Sequence, residues 1–323
     1  MSLLSFKKYK RTNQPSRCLK VMNVLVTGGT GFIGKQIIRA LLEKGYSVTN
    51  LTTQRKQEGR ISEMFQHVYW NPKSKELNKL LLPNIDGVIH LAGYSVANKW
   101  SDANKALMVS SRISSTEFLC EILNEMETPP NVLVGASASG FYRNSDEIQD
   151  ETAAVGSGFL ADLTAQWEDA STSLHPSVKN IHLRIGVVLS ADDGALKKLT
   201  PIFKAGIGSA VGNGNQYMSW VHENDLVRMF IHCLENSIES GIYNATSDSP
   251  VTNYEFSKTL AKVLRKPFFL PKVPAFVLKL IFGEMSQLVL VSQRLSNLKI
   301  KSTEFEFRFK TIQDALANVY GKN

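Results

Sequence analysis

The 323-residue chain has little of what marks a secreted, membrane-bound or metal-holding protein. Its three cysteines, Cys18, Cys120 and Cys233, are odd in number and far apart. No disulfide framework is encoded, and the pattern fits reduced thiols in the cytoplasm. There is no signal-type apolar core and no uninterrupted membrane span. The most apolar late stretch, residues 273–291, is broken by Pro274, Lys279, Glu284 and Gln287 and reads as packed helices. No second histidine, cysteine or acid has ligand spacing with His222, so no metal is expected. Internal repeats and low-complexity segments are missing too. Acid is absent from residues 1–20, which hold Lys7, Lys8, Lys10, Arg11, Arg17 and Lys20, six of the eight net positive charges. The remainder is close to neutral, which argues against a nucleic-acid partner. Residues 1–21 therefore read as a disordered basic leader, with a mitochondrial presequence as the alternative.

What is present begins with Val24 to Gly34, VLVTGGTGFIG. A short aliphatic strand runs into a glycine turn and then a helix reaching about Leu42. A helix start offers unpaired N–H groups and the positive end of its dipole, and Gly31 keeps side chains away from it, so a pyrophosphate fits there. Thr27, Gly28, Thr30, Gly31, Phe32, Ile33 and Gly34 are assigned to a dinucleotide on this ground. Candidate strands at 23–27, 47–52, 66–70, 86–91, 131–136 and 180–184 alternate with helices near 32–44, 101–125 and 158–174. This predicts an α/β, doubly wound (Rossmann) parallel sheet over 22–190. Residues 191–323, with a helix near 225–236, a strand near 241–245 and a helix near 253–264, read as a smaller substrate-side lobe packed on it.

The second strand ends in Thr53-Gln54-Arg55-Lys56, without the acid that would bind the ribose 2′-hydroxyl of NAD. Cations there suit the extra phosphate of NADP, so Thr53 and Arg55 are cofactor candidates and NADP is preferred over NAD. Asn71, at the third strand's end, is placed against adenine. Leu91, Ala92 and Gly93 close the fourth strand, where a small residue followed by glycine lets a ribose approach the backbone.

Several segments in order, TGGTGFIG, HLAG, SSRISST at 110–116, SASGFY at 137–142, LRIGVVLS at 183–190, MSWVHENDL at 218–226, VTNYEF at 251–256, GEM at 283–285 and FEFRF at 305–309, carry a resemblance. Over about residues 22–318 the chain resembles the "epimerase family protein" group, in the extended, sugar-nucleotide-epimerase-like branch of the short-chain dehydrogenase/reductase superfamily. The resemblance implies an oxidoreductase or epimerase acting on a small molecule, with nucleotide sugars as the branch's substrate class. It also allows a homodimer through the helices near 101–125 and 158–174.

That superfamily exchanges protons through a tyrosinate whose pKa is lowered by a lysine one helical turn away. Here the corresponding helix reads GFLADLTAQWEDASTSL, and Phe159 with Leu163, or Leu160 with Thr164, holds the two positions. Neither pair can do the chemistry. Two Tyr-x-x-x-Lys strings elsewhere are rejected. Tyr69 to Lys73 encloses Pro72, and Tyr254 to Lys258 begins with a Thr252–Glu255 capping box, far from the expected place. Ser137 and Tyr142 remain as catalytic candidates, and Ser137 also as a cofactor contact. Arg184 and Val187 are expected along the nicotinamide, with Ser139, Trp220 and His222 on the substrate side. Asp225 reads as the cap of the following helix. Two readings stay open: an NADP-dependent enzyme with rearranged acid–base groups, or an NADP-binding sensor without turnover.

Overall fold

The computed structural model describes residues 21–321; the expected leader lies, except for Val21, outside the described residues. β1 (Asn23–Thr27) and α1 (Phe32–Glu43) flank the glycine turn. α1 forms because Ile37, Ile38 and Leu41 recur on one face, all buried. Each such side chain contributes roughly 1.5–3 kcal/mol. The helix stops at Lys44 because Gly45, at φ +82°, takes the left-handed conformation that ends helices. Next come β2 (Ser47–Thr52), β3 (Gly59–Ser62), β4 (Phe65–Asn71), β5 (Glu76–Leu77), β6 (Gly87–His90), α2 (Asp102–Asn124), β7 (Val132–Ala138), β8 (Ser145–Gln149), α3 (Phe159–Asp169) and β9 (Lys179–Ile185), followed by the short strands β10 (Val187–Leu189), β11 (Tyr217–Met218) and β12 (Trp220–His222).

The central sheet runs β13-β9-β7-β6-β1-β2-β4-β3, where β13 is Gly241–Ala245 and β5 pairs beside β4. It is parallel except for β3 and β5, which run antiparallel to β4. It is thus the Rossmann-like sheet the alternation predicts. After β4 the chain crosses to the far side of β1 to form β6, which leaves a crevice at the carboxyl ends of β1 and β6, the place where such sheets bind ligands. The two faces bury different sets. Val24, Val26 and Val48 pack with α1, while Leu25, Leu51 and Trp70 pack with Phe118 and Leu119 of α2.

The boundary expected at residue 190 does not separate two layers. β13 extends the sheet beyond β9, and α5 (Glu223–Glu235) joins the same core through Leu226 and Phe230. The lobe proper centres on α4 (Gly194–Lys204), α6 (Asn253–Val263) and Ile312–Val319, around Phe203, Phe256 and Leu316. No helix among the described residues is long and apolar enough to cross a membrane.

Candidate functional site

The glycine turn is held from below. Gly28 sits at φ +69°, and a Cβ there would stand 2.6 Å from the Leu91 backbone. Gly34 is equally confined, at 2.3 Å from the Gly28 carbonyl. Gly29 N–H donates to Asn50 Oδ1 at 3.1 Å. Gly31 differs: it is exposed, and its Cβ would meet only the Gly28 carbonyl, at 3.2 Å. As N-cap of α1 it offers no side-chain cap, and the first turn carries no acid. The helix start is thus free to take an anion.

Thr27 is fully buried, and its hydroxyl accepts from the N–H groups of Leu91 and Ala92 at 3.2 and 3.3 Å. Thr116 Oγ1 donates to the Arg112 carbonyl, so it accepts from His90 Nε2–H at 2.9 Å. His90 Nδ1 then accepts from Thr27 at 2.6 Å. Thr27 therefore locks the ends of β1 and β6 together and has no lone pair left for a cofactor, contrary to the sequence expectation. Burial, with the nearby His182 second, lowers the His90 pKa to about 3.

At the end of β7 the polar groups bond one another. Ser137 donates to Glu168 Oε1 at 2.5 Å; Arg184 binds both Glu168 oxygens at 2.8 and 2.7 Å and donates to the Tyr142 hydroxyl at 3.1 Å. Tyr142 in turn donates to Asn244 Oδ1 at 2.7 Å. The Arg184 and Glu168 side chains are only 4% and 9% exposed, and the guanidinium lies 3.4 Å from the Phe141 ring centre. Burial raises the Tyr142 pKa, against the opposing effect of Arg184. Ser137, Tyr142 and Arg184 form a closed structural network, so neither catalytic candidate presents a free proton-transfer group. The helix register is also decided. A Cβ on Gly140 would meet Leu160 Cβ at 3.2 Å and Thr164 Oγ1 at 3.6 Å, so these two face the β7 end. The Thr164 hydroxyl is spent on the Leu160 carbonyl at 2.7 Å.

With this geometry in view, residues 24–246 match the NAD dependent epimerase/dehydratase family. The chain belongs to that family. Residues 273–319 match a domain of unknown function, DUF1731. The "Epimerase family protein SDR39U1 homolog, chloroplastic" of Arabidopsis thaliana is 34% identical over 300 residues, 91% of this chain and 86% of its own length. Epimerase family protein YfhF of Bacillus subtilis is 31% identical over 301 residues, 92% and 98% of the two chains. Among solved structures, human epimerase family protein SDR39U1 (isoform2) with NADPH superposes with a TM-score of 0.83 at 26% identity, covering 94% of this chain and all of that one (100%). UDP-glucuronic acid 4-epimerase from Bacillus cereus, at 18% identity and TM-score 0.73 over 93% and 98%, shares the fold.

The remaining expected residues divide. Phe32 and Ile33 are half-buried in the first turn of α1, and Thr30 beside them lines a groove of about 750 Å³ along that helix. Leu91 and Ala92 are half-buried and Gly93 exposed at the β6 end. A Cβ on Gly93 would meet the Arg112 guanidinium at 3.1 Å, so this glycine makes room for a side chain as well as for a ligand. Thr53 is exposed after β2. Arg55 points elsewhere: it pairs with Glu76 at 2.5 Å and lies 4.0 Å over the Tyr69 ring. Asn71 Oδ1 accepts from Lys73 N–H at 3.1 Å, which commits it to the β4–β5 turn. Ser139 and Val187 are half-buried, their backbone groups bonded to Gln293 and Ser219.

Trp220 and His222 do not face a cleft. Both are buried, Trp220 donating to the Ser249 carbonyl at 2.8 Å. His222 rather than Asp225 caps α5, accepting from Asn224 N–H at 3.1 Å, and stacks on Phe309 at 3.8 Å. Asp225 accepts from the N–H groups of Arg308 and Phe309 at 3.1 and 3.0 Å, tying the FEFRF segment to α5. The capping box at Thr252 and Glu255 is formed, and Tyr254 stands 40% exposed in the first turn of α6. Sequence reasoning missed Glu168 and Asn244, of which only Glu168 carried a signal, as the acid one turn beyond Thr164.

Burial lowers the His222 pKa to about 4, as it lowers that of His90 to about 3. In the unfolded chain both take up a proton near 6.5, so the unfolded state binds protons first as pH falls. Stability is full above about pH 6.5 and falls progressively below it, down to the folded values. Urea unfolding midpoints between pH 7 and 4 should fall accordingly; a flat profile would mean that the rings are charged in the folded protein.

Proposed function

We propose that the chain binds NADP(H) across the carboxyl edge of the sheet and moves hydride to or from a carbon bearing oxygen in a small-molecule substrate. It is an oxidoreductase or epimerase in this reading, with nucleotide sugars as the substrate class its family suggests. The observation that carries the reading is the uncapped, exposed start of α1 at the β1/β6 crevice. The NADPH present with the human relative supports the choice of cofactor.

The preference for NADP rests on different cations from those expected. Lys35 and Arg39 line the groove that also holds Thr30 and Gln54, next to the end of β2. Arg39 is paired with Glu43 at 2.8 Å, whereas Lys35 has no acid partner among the described residues and is the cation we assign to the 2′-phosphate. Lys35→Ala should weaken NADPH by roughly five- to tenfold, the weight of one charge-assisted contact, and leave NADH unchanged. Equal losses for both cofactors would remove Lys35 from the 2′ site.

A second reading, a cofactor-bound sensor without turnover, is favoured by one observation: Leu160 and the internally bonded Thr164 replace the tyrosine and lysine. Transfer of label from 4-deuterated NADPH to a panel of aldehydes, ketones and nucleotide-diphospho-ketosugars separates the two. Stereospecific transfer supports the enzyme; tight binding with no transfer supports the sensor. Pairing of two copies through α2 and α3 belongs to the same proposal, and sedimentation equilibrium tests it.

A further inference from the structure

Arg112, in the third turn of α2, is a guanidinium without an acid. It is half-buried, no carboxylate among the described residues pairs with it, and burial lowers its pKa to about 10. One nitrogen is committed, Nη1 donating to the carbonyls of Tyr94 and Met108 at 2.9 and 3.1 Å. The opposite edge, Nε and Nη2, has no acceptor among the described residues. It borders Gly93, where a Cβ would stand 3.4 Å from Nε and 3.2 Å from Nη2. The guanidinium also lies 4.9 Å over the ring of Trp167, which is 6% exposed and whose Nε1–H finds no acceptor among the described residues.

The Nε–Nη2 edge of Arg112 thus lies beside Gly93 at the end of β6 with no protein oxygen among the described residues to receive it. Trp167 Nε1–H is buried without an acceptor among the described residues, which costs on the order of 1–3 kcal/mol, while the half-buried Nε–Nη2 edge of Arg112 stays within reach of solvent and so of a ligand. The parallel N–H groups of a guanidinium edge suit a phosphate or a pair of sugar oxygens. The place is on the far side of β1 from β2, so a dinucleotide whose pyrophosphate lies on α1 brings its nicotinamide half here. Resting on the NADP(H) reading above, we infer that Arg112 holds the nicotinamide-side ribose phosphate of the cofactor through Nε and Nη2. It supplies a fixed positive charge where α3 carries Leu160 and Thr164 at the positions facing the β7 end.

The competing role is purely structural. Arg112 and Ser111 anchor the two sides of one residue, since Ser111 Oγ accepts from Tyr94 N–H at 2.8 Å while Arg112 takes the Tyr94 carbonyl. The test therefore measures equilibrium binding of NADPH and of adenosine 2′,5′-bisphosphate, which lacks the nicotinamide half, to wild type, Arg112→Ala, Arg112→Gln and Ser111→Ala. Arg112→Ala should weaken NADPH roughly ten- to a hundredfold, the range for charge-assisted hydrogen bonds. Arg112→Gln, which keeps a donor for the Tyr94 carbonyl and removes the charge, should show a smaller loss of the same kind. Binding of the bisphosphate should stay within about twofold for all variants, and Ser111→Ala should leave NADPH unchanged. Unchanged NADPH binding in both Arg112 variants, equal losses for the two ligands, or a Ser111→Ala effect as large as that of Arg112→Ala would each overturn the assignment. If wild type binds neither ligand, the NADP(H) reading itself fails, which is a separate and recognisable result.

Discussion

Gly31→Asp abolishes NADPH binding, by at least roughly a hundredfold, while the protein stays folded. The two halves of this result have one cause. Gly31 is the N-cap of α1, in extended backbone at φ −73° and ψ 172°, and only the Gly28 carbonyl lies near its missing Cβ. Aspartate is among the best N-cap residues and typically adds about 1 kcal/mol relative to alanine, partly through the helix dipole. Its carboxylate would take the N–H groups that a pyrophosphate needs and repel the phosphates by like charge. A thermal midpoint equal to or above wild type, together with loss of the NADPH fluorescence change on mixing, is the expected pair. Retained affinity would place the pyrophosphate elsewhere. Gly28→Ala serves as contrast, because a Cβ 2.6 Å from the Leu91 backbone at a positive φ should destabilise the fold itself.

Glu168→Ala should cost about 3–5 kcal/mol of stability, because removing one member of a buried ion pair leaves the other charge uncompensated. The Arg184 guanidinium, 4% exposed, would keep only the Tyr142 hydroxyl and the Phe141 ring, and Ser137 would lose its acceptor. Burial alone would lower the Arg184 pKa, and Glu168 with Tyr142 more than reverses this, so the pair depends on both members. Urea unfolding with an unchanged m-value reads the loss directly. A cost below about 1 kcal/mol would mean that water reaches the pair, and the network would then be open to catalysis after all. Replacing both partners by Met and Leu should recover part of the loss.

How much of this was legible in the sequence varies with the range of the interaction. β1 and β2 begin and end where the sequence places them: β1 is an unbroken Val24-Leu25-Val26 run buried on both faces, whereas β2 is marked by β-branched residues after Gly45 and carries buried Thr49, Asn50 and Thr52. The short edge strands Gly59–Ser62 and Glu76–Leu77 carry no periodicity and exist through pairing with β4. The strand at 241–245 was readable as a strand, yet its membership of the main sheet depends on β9, sixty residues earlier in the register Gly241 to Ile181. The site follows the same rule. The glycine turn is local, so its anion-ready geometry could be read from residue types. Tyr142 with Asn244 and Ser137 with Glu168 are nonlocal, and these pairings convert apparent catalytic groups into structural ones. Arg55 was assigned by its place after β2, but Glu76 and Tyr69 on neighbouring strands claim it.

If the start of α1 holds a phosphorylated dinucleotide, equilibrium titration of one protein sample with NADPH and NADH shows it. Saturable one-to-one binding of both is expected, with NADPH the tighter ligand and each displacing the other. No saturation with either nucleotide would exclude that site, and equal affinity for the two would remove the preference for the 2′-phosphate.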